Sequence, residues 1–162
     1  MRKSTKSIEL GKNIYSSFKI RMERISMKED SVEIAQPKGF ADHWKKFVTQ
    51  ESWFTESQEI MVVFHCNTKN QIIGHHLVSI GTVDSTLCHS RDVFRAAIAN
   101  NSTSICCVHS HPSGNTKPSF ADERISKELI KCGDILKIPV LDSIVVSPDG
   151  ENYTSLKDMG II

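Results

Sequence analysis

The 162-residue chain predicts a mixed α/β domain in which helices flank a central β-sheet. Three observations carry that expectation. Ile105-Cys106-Cys107-Val108 is an unbroken apolar run, as a strand buried on both faces needs. Ile60-Met61-Val62-Val63-Phe64 and the stretch from Gln71 to Ile80 flank Asn67-Thr68-Lys69-Asn70, whose turn chemistry folds them into a hairpin. Elsewhere the apolar residues switch to helical spacing, so helices alternate with the strands.

In chain order, residues 1–16 show no clear period. Phe18, Ile20 and Met22 alternate with Lys19, Arg21 and Glu23, and Ile25 follows Arg24. About 17–26 therefore reads as a half-exposed edge strand within an N-terminal arm, residues 1–36. Pro37-Lys38-Gly39 punctuates the chain and opens the main domain, 37–162. Phe40, Trp44, Phe47 and Val48 then fall at helical spacing across about 40–50, with their aromatic rings read as core contacts. The hairpin begins at Glu59; His65, His75 and His76 on it read as ordinary surface or edge residues. Gly81 to Leu87 connect to a helix that Ser90 is placed to cap, that turns Val93, Phe94, Ala97 and Ile98 to the sheet, and that Asn100-Asn101 ends. After the buried strand, Ser119 caps a helix with Ile125, Leu129, Cys132 and Leu136 at helical spacing. Leu141–Val146 is the last core strand, stopped by Pro148-Asp149-Gly150.

The buried strand delivers the chain directly to His109-Ser110-His111. Side chains alternate on a strand, so the two imidazoles share one face. Pro112, Ser113 and Gly114 stop the strand, and Asp122 falls in the first turn of the following helix. A loop that folds back brings this carboxylate to the imidazoles. Two His and one Asp leave a fourth position open, the pattern of a catalytic zinc rather than a closed structural one. Plainer readings exist for each piece: His-x-His alone is weak, and Ser119-x-x-Asp122 is also a near capping box favoured by the helix dipole. Their occurrence together in one strand-to-helix loop is what makes them specific. A hydrolytic centre also needs a base, for which Glu51, Glu56, Glu59 and Glu123 are all candidates.

The pattern His109-Ser110-His111-Pro112, six residues, Ser119, two residues, Asp122 resembles the metal motif of the JAMM (MPN-type) metalloproteases. The fuller text from His109 to Asp122 resembles the RadC-like branch of that superfamily. The resemblance spans roughly residues 55–157 and includes Asn67-Thr68-Lys69-Asn70, Ser79-Ile80-Gly81-Thr82, the segment from Arg91 to Ala97, and Ile138 to Asp142. It implies a three-layer architecture like that of cytidine deaminases, and one Zn2+ held by His109, His111 and Asp122. It further selects Glu59 as the base that activates water, and gives Ser119 the role of supporting an oxyanion. The implied substrate is a peptide or isopeptide bond in a peptide or protein, ubiquitin-like tails among them. Two positions depart from the pattern: Asn115 stands where Asp is common, and Ser143 where His commonly follows Leu-Asp. Full-length RadC-like chains also resemble a helix-hairpin-helix module joined to this domain, which the polar residues before Pro37 do not supply.

Charge and composition narrow the remaining classes. Lys plus Arg is 20 against 19 for Asp plus Glu, so net charge gives no global attraction to nucleic acid. Residues 1–28 nonetheless hold eight basic and two acidic side chains, a surplus of six, and leave the remainder at minus five. Such an arm is read first as solvated, and second as a nucleic-acid contact. The second reading supports a rival function, a DNA-associated accessory protein of the RadC type with a structural or vestigial metal site. A zinc deaminase requires Pro-Cys-x-x-Cys, and no Cys-x-x-Cys occurs. Five cysteines, two adjacent in an apolar strand, read as reduced thiols, and no apolar block resembles a span or leader, so a cytoplasmic protein is expected.

Overall fold

A computed structural model describes residues 9–10, 13–14, 35–81 and 88–162. The expected strand over 17–26, most of the basic arm that contains it, and the 82–87 part of the connection after Gly81 lie outside the described residues. Within the stretch that showed no period, Glu9–Leu10 (β1) and Asn13–Ile14 (β2) pair antiparallel. The main body then runs α1 (Pro37–Lys46), a 3-10 turn (Val48–Gln50), β3 (Glu59–Cys66), β4 (Ile72–Gly81), α2 (Ser90–Ala99), β5 (Ser104–Ser110), α3 (Phe120–Leu136), β6 (Val140–Val146) and β7 (Tyr153–Ser155). The sheet order is β4-β3-β5-β6-β7, antiparallel throughout except for the parallel pair β5–β6. The predicted mixed α/β architecture is therefore the observed one.

Alternation along β3 and β5 builds two cores, one on each face of the sheet. Ile60, Val62, Phe64 and Cys66 join Cys106, Val108, Ile144 and Val146 beneath Phe40, Trp44 and Val48 of α1 and the following turn. Met61 and Val63 join Ile105 and Cys107 on the opposite face, against Val93, Phe94 and Ala97 of α2 and Leu129 of α3. Helices thus cover both faces, which is why β5 is buried along its whole length and reads as a continuous apolar run. The connection from β5 to its parallel neighbour β6 passes through α3. Seventeen helical residues rise about 25 Å and seven strand residues about 23 Å, so the helix returns the chain to the level at which β5 began.

Local chemistry explains where the elements differ from the expected ones. Pro37 is the first residue of α1 rather than a break before it, because its fixed φ and missing N–H suit that position. His89, not Ser90, occupies the N-cap of α2, and no side chain caps it. Ile98 points outward, 54% exposed, instead of facing the sheet, and Leu136 at the end of α3 is 43% exposed. Asn101, at φ 55°, takes the left-handed turn beyond α2 as expected of Asn. A further strand, β7, follows the Pro148-Asp149-Gly150 turn and pairs with β6. The buried carboxylate of Asp142 secures it, accepting from the Ser155 hydroxyl and from the backbone N–H groups of Ser143 and Lys157. All five cysteines are free.

The hairpin histidines are interior groups, contrary to the surface role expected of them. His65 is 2% exposed, its Nδ1 2.8 Å from Ser102 Oγ and its Nε2 2.8 Å from His76 Nδ1. His75 and His76 are half-buried on β4; His75 meets buried His43 of α1 at 3.2 Å and Glu51 at 3.3 Å. Burial first, then the neighbouring imidazole, pushes His43 and His65 down to about 3. An unfolded histidine titrates near 6.5. Between pH 6.5 and about 3 the unfolded chain therefore takes up protons that the folded chain refuses. Stability from these sites is complete above pH 6.5 and is lost as pH falls, by roughly 1 kcal/mol per pH unit for each histidine. Urea unfolding at pH 7.5, 6.0 and 5.0 is expected to show this decline, and His65→Gln to make it shallower. An unfolding free energy flat across that range contradicts the burial of these rings.

A second expectation concerns Gly133, in the last turn of α3. A Cβ there meets the Ile138 carbonyl oxygen at 2.6 Å, where the chain folds back beyond the left-handed Lys137. Gly133→Ala should lower unfolding free energy by about 1–3 kcal/mol despite alanine's better helix propensity. A neutral or stabilising effect in denaturant melts argues against that close approach.

Candidate metal centre

Register brings the functional side chains together at one end of the sheet. Glu59 opens β3, and its neighbours on the same face are Met61 and Val63. His109 lies opposite Met61 in β5, on the same face as Cys107. His111 stands one residue past the strand, where its N–H still reaches the Val146 carbonyl at 3.3 Å. The chain then turns sharply, with Gly114 donating its N–H to the His111 carbonyl and taking φ +72°. Thr154 of β7 holds the loop through a 2.9 Å hydroxyl contact to Thr116, and Pro118 is buried beneath it. These contacts return the chain to Ser119, the N-cap of α3.

Asp122 is positioned by that cap. Ser119 Oγ accepts from the Asp122 N–H at 3.2 Å, and Asp122 Oδ2 accepts from the Ser119 N–H and hydroxyl at 2.6 and 2.7 Å. The capping box is thus complete with Asp in place of Glu. The other carboxylate oxygen, Oδ1, faces His109 Nε2 at 3.2 Å, while Oδ2 lies 3.5 Å from His111 Nε2. The two imidazole nitrogens are themselves 3.2 Å apart. His111 is oriented by its other nitrogen, Nδ1, 2.8 Å from the Asn115 carbonyl. That pairing places the proton on Nδ1 and turns the Nε2 lone pair inward.

The donor set fits a small tetrahedral cation. Bonds of about 2.0–2.1 Å require ligand–ligand edges of roughly 3.3 Å. His109 Nε2 lies 3.2 Å from both His111 Nε2 and Asp122 Oδ1, close to that value, while His111 Nε2 stands 3.5 Å from the other carboxylate oxygen, Oδ2. Glu59 Oε1 stands slightly farther off, 3.7 Å from His111 Nε2, and its ligand atom lies within 4.8 Å of the other three. Burial alone raises the Asp122 carboxyl, but hydrogen bonds from His109, His111 and Ser119 outweigh it and hold Asp122 well below the usual carboxylate range. The Asp122 hydrogen bond in turn raises His111. The carboxylate is therefore ionised at neutral pH before any cation arrives.

The structure thus gathers His109, His111, Asp122 and Glu59, and sends the other acidic candidates elsewhere. Glu51 pairs with His75, Glu123 lies 3.8 Å from Lys127 along α3, and Glu56 is exposed in the approach to β3. Sequence reasoning missed the Asn115 carbonyl. A backbone acceptor leaves no side-chain signal, although the turn residues around Gly114 mark the loop that presents it.

Comparison with known proteins gives this cluster a context. A family model described as "RadC-like JAB domain" matches residues 37–161. A UPF0758 protein of Chlorobaculum parvum is 42% identical over 107 residues, covering 66% of this chain and 47% of that protein. A UPF0758 protein of Geobacillus thermodenitrificans is 38% identical over 117 residues, covering 72% of this chain and 50% of that protein. The chain spans about half the length of these curated relatives.

The cluster predicts stoichiometric metal. Purified protein supplied with zinc and dialysed should retain one ion per chain by elemental analysis. His109→Ala and Asp122→Asn should lose it while keeping the wild-type far-ultraviolet circular dichroism. Wild-type protein that retains no ion after this treatment removes the metal assignment.

Proposed function

The chain belongs to the RadC-like JAB-domain family, whose superfamily contains metalloproteases, and from this we propose that it is a zinc-dependent hydrolase cleaving a peptide or isopeptide bond. The observation that carries the reading is the convergence of two imidazoles and two carboxylates, whose ligand atoms all lie within 4.8 Å of one another. His109, His111 and Asp122 are the residues to hold zinc. When bound, the ion supplies Lewis acidity to the scissile carbonyl and makes water easier to deprotonate.

The remaining chemistry belongs to the side chains. The resemblance gives Glu59 the part of base, and its carboxylate, 3.7 Å from His111 Nε2, is near enough to take a proton from the attacking water and return it to the leaving amine. Ser119 has two duties. In the resting arrangement its hydroxyl donates to Asp122 Oδ2, so it first fixes a ligand. Rotation about Cβ–Oγ turns the same hydroxyl toward the oxyanion as it develops. The helix N-terminus at which Ser119 and Asp122 stand favours negative charge there throughout. Zinc is the expected ion because two imidazoles with one carboxylate and an open position suit it better than the all-oxygen shells of magnesium or calcium.

Glu59→Gln should keep its zinc but lose about 10²-fold or more in rate against a panel of fluorogenic peptides and ubiquitin-like fusions. Ser119→Ala separates the two duties. Loss of the cap costs about 1 kcal/mol of stability, whereas loss of an oxyanion donor costs about 10²-fold in rate. A shifted melting temperature with full activity removes the oxyanion role. A zinc-loaded wild type that hydrolyses neither linear nor isopeptide bonds overturns the proposed reaction.

A further inference from the structure

β4 stands at one edge of the sheet but has the composition of an inner strand. It runs ten residues and pairs with β3 along one side; no strand among the described residues pairs with the other. A long open edge is a template for pairing with another chain, and outermost strands ordinarily resist this by charge, by proline or by being short. β7, at the opposite edge, is three residues long. β4 has no such protection: from Ile72 to Gly81 it contains no Lys, Arg, Asp, Glu or Pro. Two register shifts against β3 twist it, but no charged side chain on it repels a further strand.

The chain enters the main body at that open side. The Asn67 N–H donates to the Gln71 carbonyl at 3.1 Å, and the Gln71 N–H donates to Asn67 Oδ1 at 3.0 Å, so both backbone groups of Gln71 face the turn and β3. In a trans peptide the Asn70 carbonyl points opposite to the Gln71 N–H, which is outward. That carbonyl accepts from the Ala35 N–H at 2.7 Å, and Ala35 also packs against the core beneath α1. Immediately upstream of Ala35, Ile34 and Val32 alternate with Glu33 and Ser31, the period of a strand. Lys28, Glu29, Asp30 and Glu33 supply the charges that β4 lacks. The stretch 25–34 also matches β4 in length.

We propose that residues 25–34 run antiparallel along the outer edge of β4 as a further strand, closing that edge to a second copy of the chain or to a peptide. The Ala35–Asn70 bond sets the register, with Ile34 beside Gln71 and Glu33 beside Ile72. Backbone groups alternate sides along a strand, so the N–H and carbonyl of Ile72 face outward and exchange two hydrogen bonds with Glu33. The basic arm upstream of Ile25 then leaves the sheet at the end where Gly81 lies opposite Glu59.

Nuclear magnetic resonance of the full chain tests this pairing. The wild-type Ile72 amide should exchange about a hundredfold or more slowly relative to an unstructured amide. The α protons of Ile34 and Gln71 should be in contact, as a non-hydrogen-bonded antiparallel pair requires. Glu33→Pro removes the N–H offered to the Ile72 carbonyl and is expected to speed Ile72 exchange about fivefold to tenfold. Val32→Pro, whose N–H faces away from β4, should leave that rate nearly unchanged. The amides of Val63 and Val108 report whether the sheet is intact in each variant; should Glu33→Pro disturb them too, the wild-type contact between Ile34 and Gln71 decides. An unprotected Ile72 amide, no such contact, or equal effects of the two prolines overturns the proposal. Protection that rises with protein concentration, alongside a dimer in sedimentation, assigns the edge to a second copy and overturns it as well.

Discussion

The carboxylate of Asp122 ties the end of β5 to the start of α3. One oxygen accepts from the N–H and hydroxyl of Ser119, and the other faces His109. Most of what surrounds the centre follows from that double attachment. The loop from Pro112 to Pro118 must return far enough for the cap to form, so it is pinned to β7 at Thr116 and closed by the buried Pro118. The helix dipole and the two cap donors stabilise the carboxylate without help from a cation. The ligand is thus ordered by the fold, and little conformational entropy remains to be lost when an ion enters.

The split between what was legible in the sequence and what was not follows the range of the interactions. Ile105–Val108 and the hairpin around Asn67–Asn70 declare themselves locally, one by apolar continuity and one by turn chemistry. His109, His111 and Asp122 were legible because all three fall in one strand-to-helix segment. Glu59 lies fifty residues upstream, and pattern alone did not separate it from Glu51, Glu56 or Glu123; the family resemblance chose it, and the sheet register shows why it meets the histidines. Tertiary context decided the rest. β7 is only three residues long, with Tyr153 partly exposed, and it exists because β6 offers an edge and Asp142 an anchor. The histidines of the hairpin look polar in a sequence but pair with one another and with Ser102 inside the fold.

Helix boundaries show the same division at smaller scale. Pro37 signals either a break or a first helical turn, and only the packing of Phe40 and Trp44 on the sheet selects the second. Ser90 has the chemistry of a cap, yet α2 begins one residue earlier than that role requires. The exposure of Ile98 and Leu136 arises because a helix resting on a sheet buries a stripe narrower than its full set of apolar residues.

The parallel pairing of β5 with β6 also bears on how the domain assembles. Twenty-nine residues separate the two strands, and closing a loop of that length is entropically unfavourable until the strands themselves pair. α3 accounts for seventeen of those residues and carries its own capping box, so its first turn forms from contacts three residues apart. Early helix formation shortens the flexible part of the crossover to two short hinges. The serine–aspartate pair thus serves the crossover as the cap that opens its helix and the candidate metal centre as one corner.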